Sequence, residues 1–61
     1  MMQCDLCDKD SLQEYVDGKT AMGPWANMCL DCFKIFGKGL GLGKGQHYRL
    51  GADKIYRKIA G

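Results

Sequence analysis

The run Cys29-Leu30-Asp31-Cys32-Phe33-Lys34-Ile35-Phe36-Gly37 joins a cysteine pair to an apolar stretch with no glycine until its end. A cysteine pair that forms a simple knuckle is followed by a turn. Here Phe33, Ile35 and Phe36 follow Cys32 directly, which predicts a short helix of about two turns starting near Cys29 or Leu30. Asp31 in the first turn, with Lys34 and Lys38 toward the end, suits the helix dipole. Gly37 is placed to cap the C-terminus. The positive end of the same dipole favours thiolates at the helix start.

Working outward, a matching pair stands upstream in Cys4-Asp5-Leu6-Cys7, so the whole pattern is C-x2-C-x21-C-x2-C. Two cysteines three apart do not readily bridge each other, but a turn points both sulfurs at one ion. Four thiolates then match the tetrahedral preference of Zn²⁺. Cys4, Cys7, Cys29 and Cys32 are thus the expected ligands of one zinc ion. Iron uses the same four-thiolate shell, but iron loops usually carry glycine or proline around each pair, so zinc is preferred. Two disulfides in a small secreted domain are the other alternative. Asp8, after Cys7, stands where such knuckles often use glycine, and Asp tolerates the left-handed conformation better than most residues.

Between the pairs, Leu12-Gln13-Glu14-Tyr15-Val16-Asp17 reads as a strand and Asp17-Gly18 as a two-residue hairpin turn. That turn would oppose Val16 to Lys19 and Tyr15 to Thr20, with a return strand through Thr20-Ala21-Met22. Gly23-Pro24 then interrupts the ladder. A knuckle, a hairpin and a helix whose first turn supplies the last two ligands make a treble-clef-like α+β domain. A zinc ribbon is the alternative.

The chain has 61 residues, enough for one domain. A chain of that size buries only about 60% of the surface it exposes when unfolded, so a metal is a fitting supplement to its core. The single domain spans 1–61: a zinc core with a glycine-rich loop over 1–50, and a short C-terminal helix or strand over 51–61. Ile55 and Ile59 lie four apart, as on one helix face, whereas Lys54, Tyr56 and Lys58 alternate with Ile55, Arg57 and Ile59, as in a strand. Tyr15, Trp25, Phe33 and Phe36 are expected in the core, because a domain this small needs such side chains there. No apolar run approaches the ~18–20 residues that span a bilayer, so no membrane partner is expected. Met1-Met2-Gln3-Cys4-Asp5 does not read as a secretory signal, which points to the cytoplasm.

Residues 37–45 place glycine at every second position, which excludes a stable helix. A phosphate-binding P-loop ending in Gly43-Lys44 would need glycine where Lys38 stands and Ser or Thr where Gly45 stands. The dinucleotide pattern fails too, at Lys44 in one frame and Gln46 in the next. Two readings remain. One is a loop that wraps the zinc core and places Leu40 and Leu42 into it. The other is a basic strip that follows a phosphate backbone. The charge distribution bears on the second: residues 1–17 sum to −4 and residues 18–61 to +6. Four thiolates and one divalent ion together subtract two charges, so the formal +2 falls to zero when metal is bound. Lys38, Lys44, Gln46, His47, Tyr48, Arg49, Arg57 and Lys58 are the candidate contacts for nucleic acid or for a protein partner. His47 is the lone histidine; with four thiols available it is expected to face solvent or make a hydrogen bond rather than bind metal.

The run Met22-Gly23-Pro24-Trp25-Ala26-Asn27-Met28-Cys29, then Cys32 and the stretch Gly37 to Gln46, resembles small zinc-ribbon-like proteins encoded by phages and prophages. The likeness covers residues 4–48 and is most specific over 22–46. It implies zinc on Cys4, Cys7, Cys29 and Cys32, and a setting in a bacterial host cytoplasm. It implies no biochemical activity. A closed four-cysteine shell leaves no open position for substrate. A treble-clef endonuclease of the His-Asn-His type needs more than one histidine. The expectation is therefore a non-enzymatic accessory protein that binds nucleic acid through its basic glycine-rich face. An adaptor that docks on a host or phage protein through Trp25, Met22 and the glycine loop is the alternative.

Overall fold

The computed structural model describes all 61 residues. Its elements are β1 (Glu14–Lys19), β2 (Trp25–Met28), α1 (Leu30–Phe36), β3 (Gly45–Leu50) and β4 (Tyr56–Ala60). The strands form one antiparallel sheet in the order β2-β1-β3-β4, and α1 packs on β1 and β2. The chain is thus a small α+β domain. No helix is long and apolar enough to cross a membrane.

The expected turn at Asp17-Gly18 does not form. β1 runs straight through it, pairing Val16 with Met28 and Lys19 with Trp25. The chain reverses instead at Thr20–Pro24. There the Gly23 N–H donates to the Thr20 carbonyl at 2.9 Å, and Thr20 Oγ1 donates to the Pro24 carbonyl at 2.8 Å. The return strand is therefore Trp25–Met28, not Thr20–Met22. Gly18 serves a different need. It lies opposite Gly45 of β3, and a Cβ there would stand 2.9 Å from the Lys44 carbonyl oxygen and 3.1 Å from Gly45 Cα. Glycine lets the two strands meet at that point.

Helix α1 follows the sequence pattern. Cys29 is its N-cap, its sulfur accepting the Cys32 N–H at 3.4 Å, and the Gly37 N–H donates to the Phe33 carbonyl at the other end. Asp31 lies in the first turn and Lys34 in the last, while Lys38 falls beyond the helix.

The C-terminal segment is a strand, so the helical reading of Ile55 and Ile59 is corrected. Tyr56 explains the choice. Its ring meets Tyr15 edge-on at 5.1 Å, and its hydroxyl donates to the Leu12 carbonyl and accepts the Met2 N–H. Only a strand beside β3 carries Tyr56 to that position, since Tyr56 pairs with Leu50. Ile55 and Ile59 remain exposed.

The buried cluster comprises Cys4, Leu12, Tyr15, Val16, Met28, Cys29 and Cys32, with Phe33 and Phe36 packed against it. Cysteine thus makes up much of the interior. Trp25 is not part of it: at the first position of edge strand β2 it stays 47% exposed. Leu40 and Leu42 also stay out, and Leu42 is 98% exposed. The loop that carries them bends away at Gly39, Gly41 and Gly43, all with positive φ.

Candidate metal centre

The first pair of cysteines sits in a knuckle closed by backbone hydrogen bonds. The Cys4 N–H donates to the Lys9 carbonyl at 2.8 Å, and the Asp8 N–H donates to the Cys4 carbonyl at 3.0 Å. Asp8 takes φ 65°, the left-handed conformation expected of its position. The second pair is held by α1: Cys29 caps the helix and Cys32 lies in its first turn.

Asp5 joins the two halves. Its N–H donates to the Asn27 carbonyl at 2.8 Å, and its Oδ2 accepts the Asn27 N–H at 2.9 Å. Asn27 precedes Met28 and Cys29, so this two-way clasp fixes the knuckle against the strand that leads into the second pair. A carboxylate at position 5 had no evident role in the linear sequence, because its partner lies 22 residues away.

The four sulfurs lie within 4.8 Å of one another. A tetrahedral ion with Zn–S bonds of about 2.3 Å requires sulfur–sulfur edges of about 3.8 Å. Cys7 Sγ and Cys29 Sγ are 3.8 Å apart. All four cysteines are free thiols, and one shared cluster does not divide into two bridges of about 2.05 Å. The donor set therefore fits a single metal ion.

The electrostatics agree. Burial opposes ionisation of Cys4, but backbone groups of Cys29, Cys7 and Leu6 hydrogen-bond its sulfur and bring the thiol down to about 6. Burial pushes the Cys32 thiol well up, and the neighbouring thiols of Cys29, Cys7 and Cys4 add to it. At Cys7 the Lys9 backbone favours the thiolate, yet the Cys4 thiol and desolvation prevail and raise it. Four sulfurs this close ionise together only around a cation, which supplies the compensating charge.

The candidate partner-binding residues are dispersed. Alternation along β3 puts Gln46 and Tyr48 on one face and His47 and Arg49 on the other. The Tyr48 ring stacks on Tyr15 at 5.1 Å, so one of its faces is taken by the core. His47 is half-buried rather than solvent-facing. Its Nε2 lies 2.9 Å from Glu14 Oε1 without hydrogen-bond alignment. Arg49 approaches the same Glu14 oxygen at 3.6 Å. Arg57 makes a bidentate pair with Asp53, at 3.0 and 2.6 Å. Lys58 Nζ donates to the Gly61 carbonyl at 3.3 Å.

Lys38 and Lys44 have a different setting. The Lys19 N–H donates to the Lys44 carbonyl at 2.8 Å, and the Lys38 N–H donates to the Lys19 carbonyl at 3.3 Å. The backbone thus places three exposed lysines from three segments at one end of the sheet, Lys19 opposite Trp25 and Lys38 and Lys44 on the other side of β1. The sequence pattern sets Lys19 opposite Val16 beside a turn and names Trp25 as core or as an adaptor contact, and only the β1–β2 register brings the two together. Compared with family models, curated proteins and solved structures, the chain matches none.

Proposed function

We propose that the chain is a zinc-stabilised, non-enzymatic accessory module that binds nucleic acid through the lysine-bearing end of its sheet. Zn²⁺ would be held by Cys4, Cys7, Cys29 and Cys32 and would act as a structural crosslink between knuckle and helix. The knuckle, the β1–β2 hairpin and α1 support a treble-clef reading over a plain ribbon.

The observation that carries the reading is the separation of charge. Asp5, Asp8 and Asp10 lie in or beside the knuckle, while Lys19, Lys38 and Lys44 converge at the far end of β1. No Asp or Glu occurs in residues 18–30 or 32–52. A metal-loaded molecule of zero formal charge can still present a strong local positive field, and a polyanion is the natural ligand for one. A place in a bacterial host cytoplasm, which the resemblance read from residues 22–46 implies, is part of this proposal. Mobility shifts on DNA and RNA at low and moderate salt test the reading. Binding should weaken steeply with salt, and no shift at low salt would remove the proposal.

A second reading has its own observation. Met22 and Trp25 are 58% and 47% exposed, as expected of anchors in a protein-docking surface. Loss of a captured host or phage protein on Trp25→Ala, with no nucleic-acid binding by the parent chain, would favour it.

A further inference from the structure

Trp25 is the one tryptophan of the chain, and it has been left outside the packing. The aromatic pairs of the fold are Tyr15–Tyr48 and Tyr15–Tyr56, and Trp25 belongs to neither. It opens β2, one of the two edge strands of the sheet, so no strand flanks its outer side. Its cross-strand partner is Lys19, and directly opposed residues project from the same face.

Lys19 brings Lys38 and Lys44 with it through the two backbone hydrogen bonds described above. The ion pairs of the fold are Glu14 with His47 and Arg49, and Asp53 with Arg57. None uses Lys19, Lys38 or Lys44, so their charge is free for a ligand. The nearest acid along β1 is Asp17, which is half-buried.

The glycine loop completes the surface. Gly39, Gly41 and Gly43 take φ of 114°, 127° and 75°. A Cβ on Gly41 or Gly43 would meet nothing within 4 Å. These glycines therefore answer a backbone requirement rather than a packing one. They let the loop fold back as a tight turn, in which the Lys44 and Gly45 N–H groups donate to the Gly41 carbonyl and Lys44 returns beside Gly39.

We propose that Trp25, with Lys19 opposite it and Lys38 and Lys44 beyond Lys19, is a stacking platform for single-stranded nucleic acid. The inference rests on the nucleic-acid reading above and narrows it. Lysines that contact phosphates serve single and double strands alike, but an indole face stacks only on an unpaired base. A lipid surface fits less well. Leu40 and Leu42 are both exposed, but they sit on a tight glycine turn, and two apolar side chains beside a few lysines make no amphipathic helix to lie in a bilayer surface.

Because Trp25 is the only indole, its fluorescence reports on this surface alone. The zinc-loaded full chain is titrated with an oligothymidylate and with a hairpin duplex of equal length, at about 50 and 200 mM salt. A terminal dye on each oligonucleotide gives anisotropy as an independent readout of binding. The expected result is quenching of Trp25 by the single strand, and tighter binding of that strand than of the duplex. Trp25→Ala should weaken single-strand binding by about 5- to 150-fold, with an unchanged circular dichroism spectrum. Lys44→Gln should lower the salt slope by about 0.7.

Anisotropy binding without quenching, or undiminished by Trp25→Ala, would overturn the platform and leave the basic face standing. Tighter binding of the duplex would overturn the single-strand preference. No binding of either form at low salt would remove both readings. A blue shift of Trp25 on vesicles of phosphatidylcholine and phosphatidylserine, with no response to oligonucleotide, would assign the surface to a membrane instead and overturn the proposal.

Discussion

Replacing Asp5 by alanine should weaken the metal-loaded domain although Asp5 is no ligand. The carboxylate removes one orphan donor of the edge strand by accepting the Asn27 N–H at 2.9 Å. A hydrogen bond to a charged acceptor contributes about 1.5–3 kcal/mol. Asp5 is exposed, so solvent screening reduces that to about 1 kcal/mol. In a domain of this size, each kcal/mol moves the melting temperature by about 4–8 °C. The expected outcome for Asp5→Ala is therefore a melting temperature about 4–8 °C lower, followed by circular dichroism with zinc in excess. Asp5→Asn keeps an acceptor oxygen but loses its charge, and should recover about half of the loss. Asp10→Asn removes the same charge from the same segment without touching Asn27, and should stay within about 0.5 kcal/mol of the parent. Equal losses for Asp5→Ala and Asp10→Asn would refute the clasp and leave only a general charge effect. An Asp5→Ala chain that melts with the parent would refute it outright.

Removal of the metal should have the largest effect. Structural zinc contributes an apparent ~10–16 kcal/mol in small finger peptides, against a net ~5–15 kcal/mol for a whole domain; circular dichroism during chelator titration should show loss of the native spectrum, and a chelated chain that keeps it would contradict the crosslink role. Gly18→Ala places a Cβ 2.9 Å from the Lys44 carbonyl oxygen and 3.1 Å from Gly45 Cα, so the β1–β3 contact should loosen by about 1–3 kcal/mol, read as a lower thermal midpoint; an unchanged midpoint would mean the strands can part without cost. Asp53 is held down at about 2 by the Arg57 guanidinium and the Ile55 backbone. Because its folded value lies below the ordinary one, the contribution is present above about pH 4 and is lost as pH falls through about 2. A carboxyl titration by NMR should show this depressed midpoint, and Arg57→Gln should raise it toward the ordinary range, with the Ile55 N–H still lowering it.

The four-cysteine cluster was the most legible part of the sequence. Ligand type and spacing are local properties, and C-x2-C repeated at two places already implies two hooks on one ion. The helix after Cys32 was legible for the same reason, since its cap residues and dipole-matched charges sit within the segment. The strands were less so. Asp17-Gly18 looked like a turn because its neighbours in sequence say nothing of Gly45, which needs the missing side chain at position 18. Ile55 and Ile59 likewise keep a helix open beside the strand alternation until Tyr56 is seen against Leu12 and Tyr15.

Composition and motif spacing were enough to establish a one-domain chain with too little apolar interior for its size and a four-thiol set to supplement it. They also established the unequal charge of its two parts. Which lysines meet, that Trp25 faces solvent, and that Asp5 clasps Asn27 depend on strand register. Register is a choice among pairings of distant segments, and a shift of one residue exchanges the two faces of a strand. Such choices are settled by the packing of the whole sheet, so the arrangement of Lys19, Trp25, Lys38 and Lys44 appears only when β1, β2 and the glycine loop are assembled.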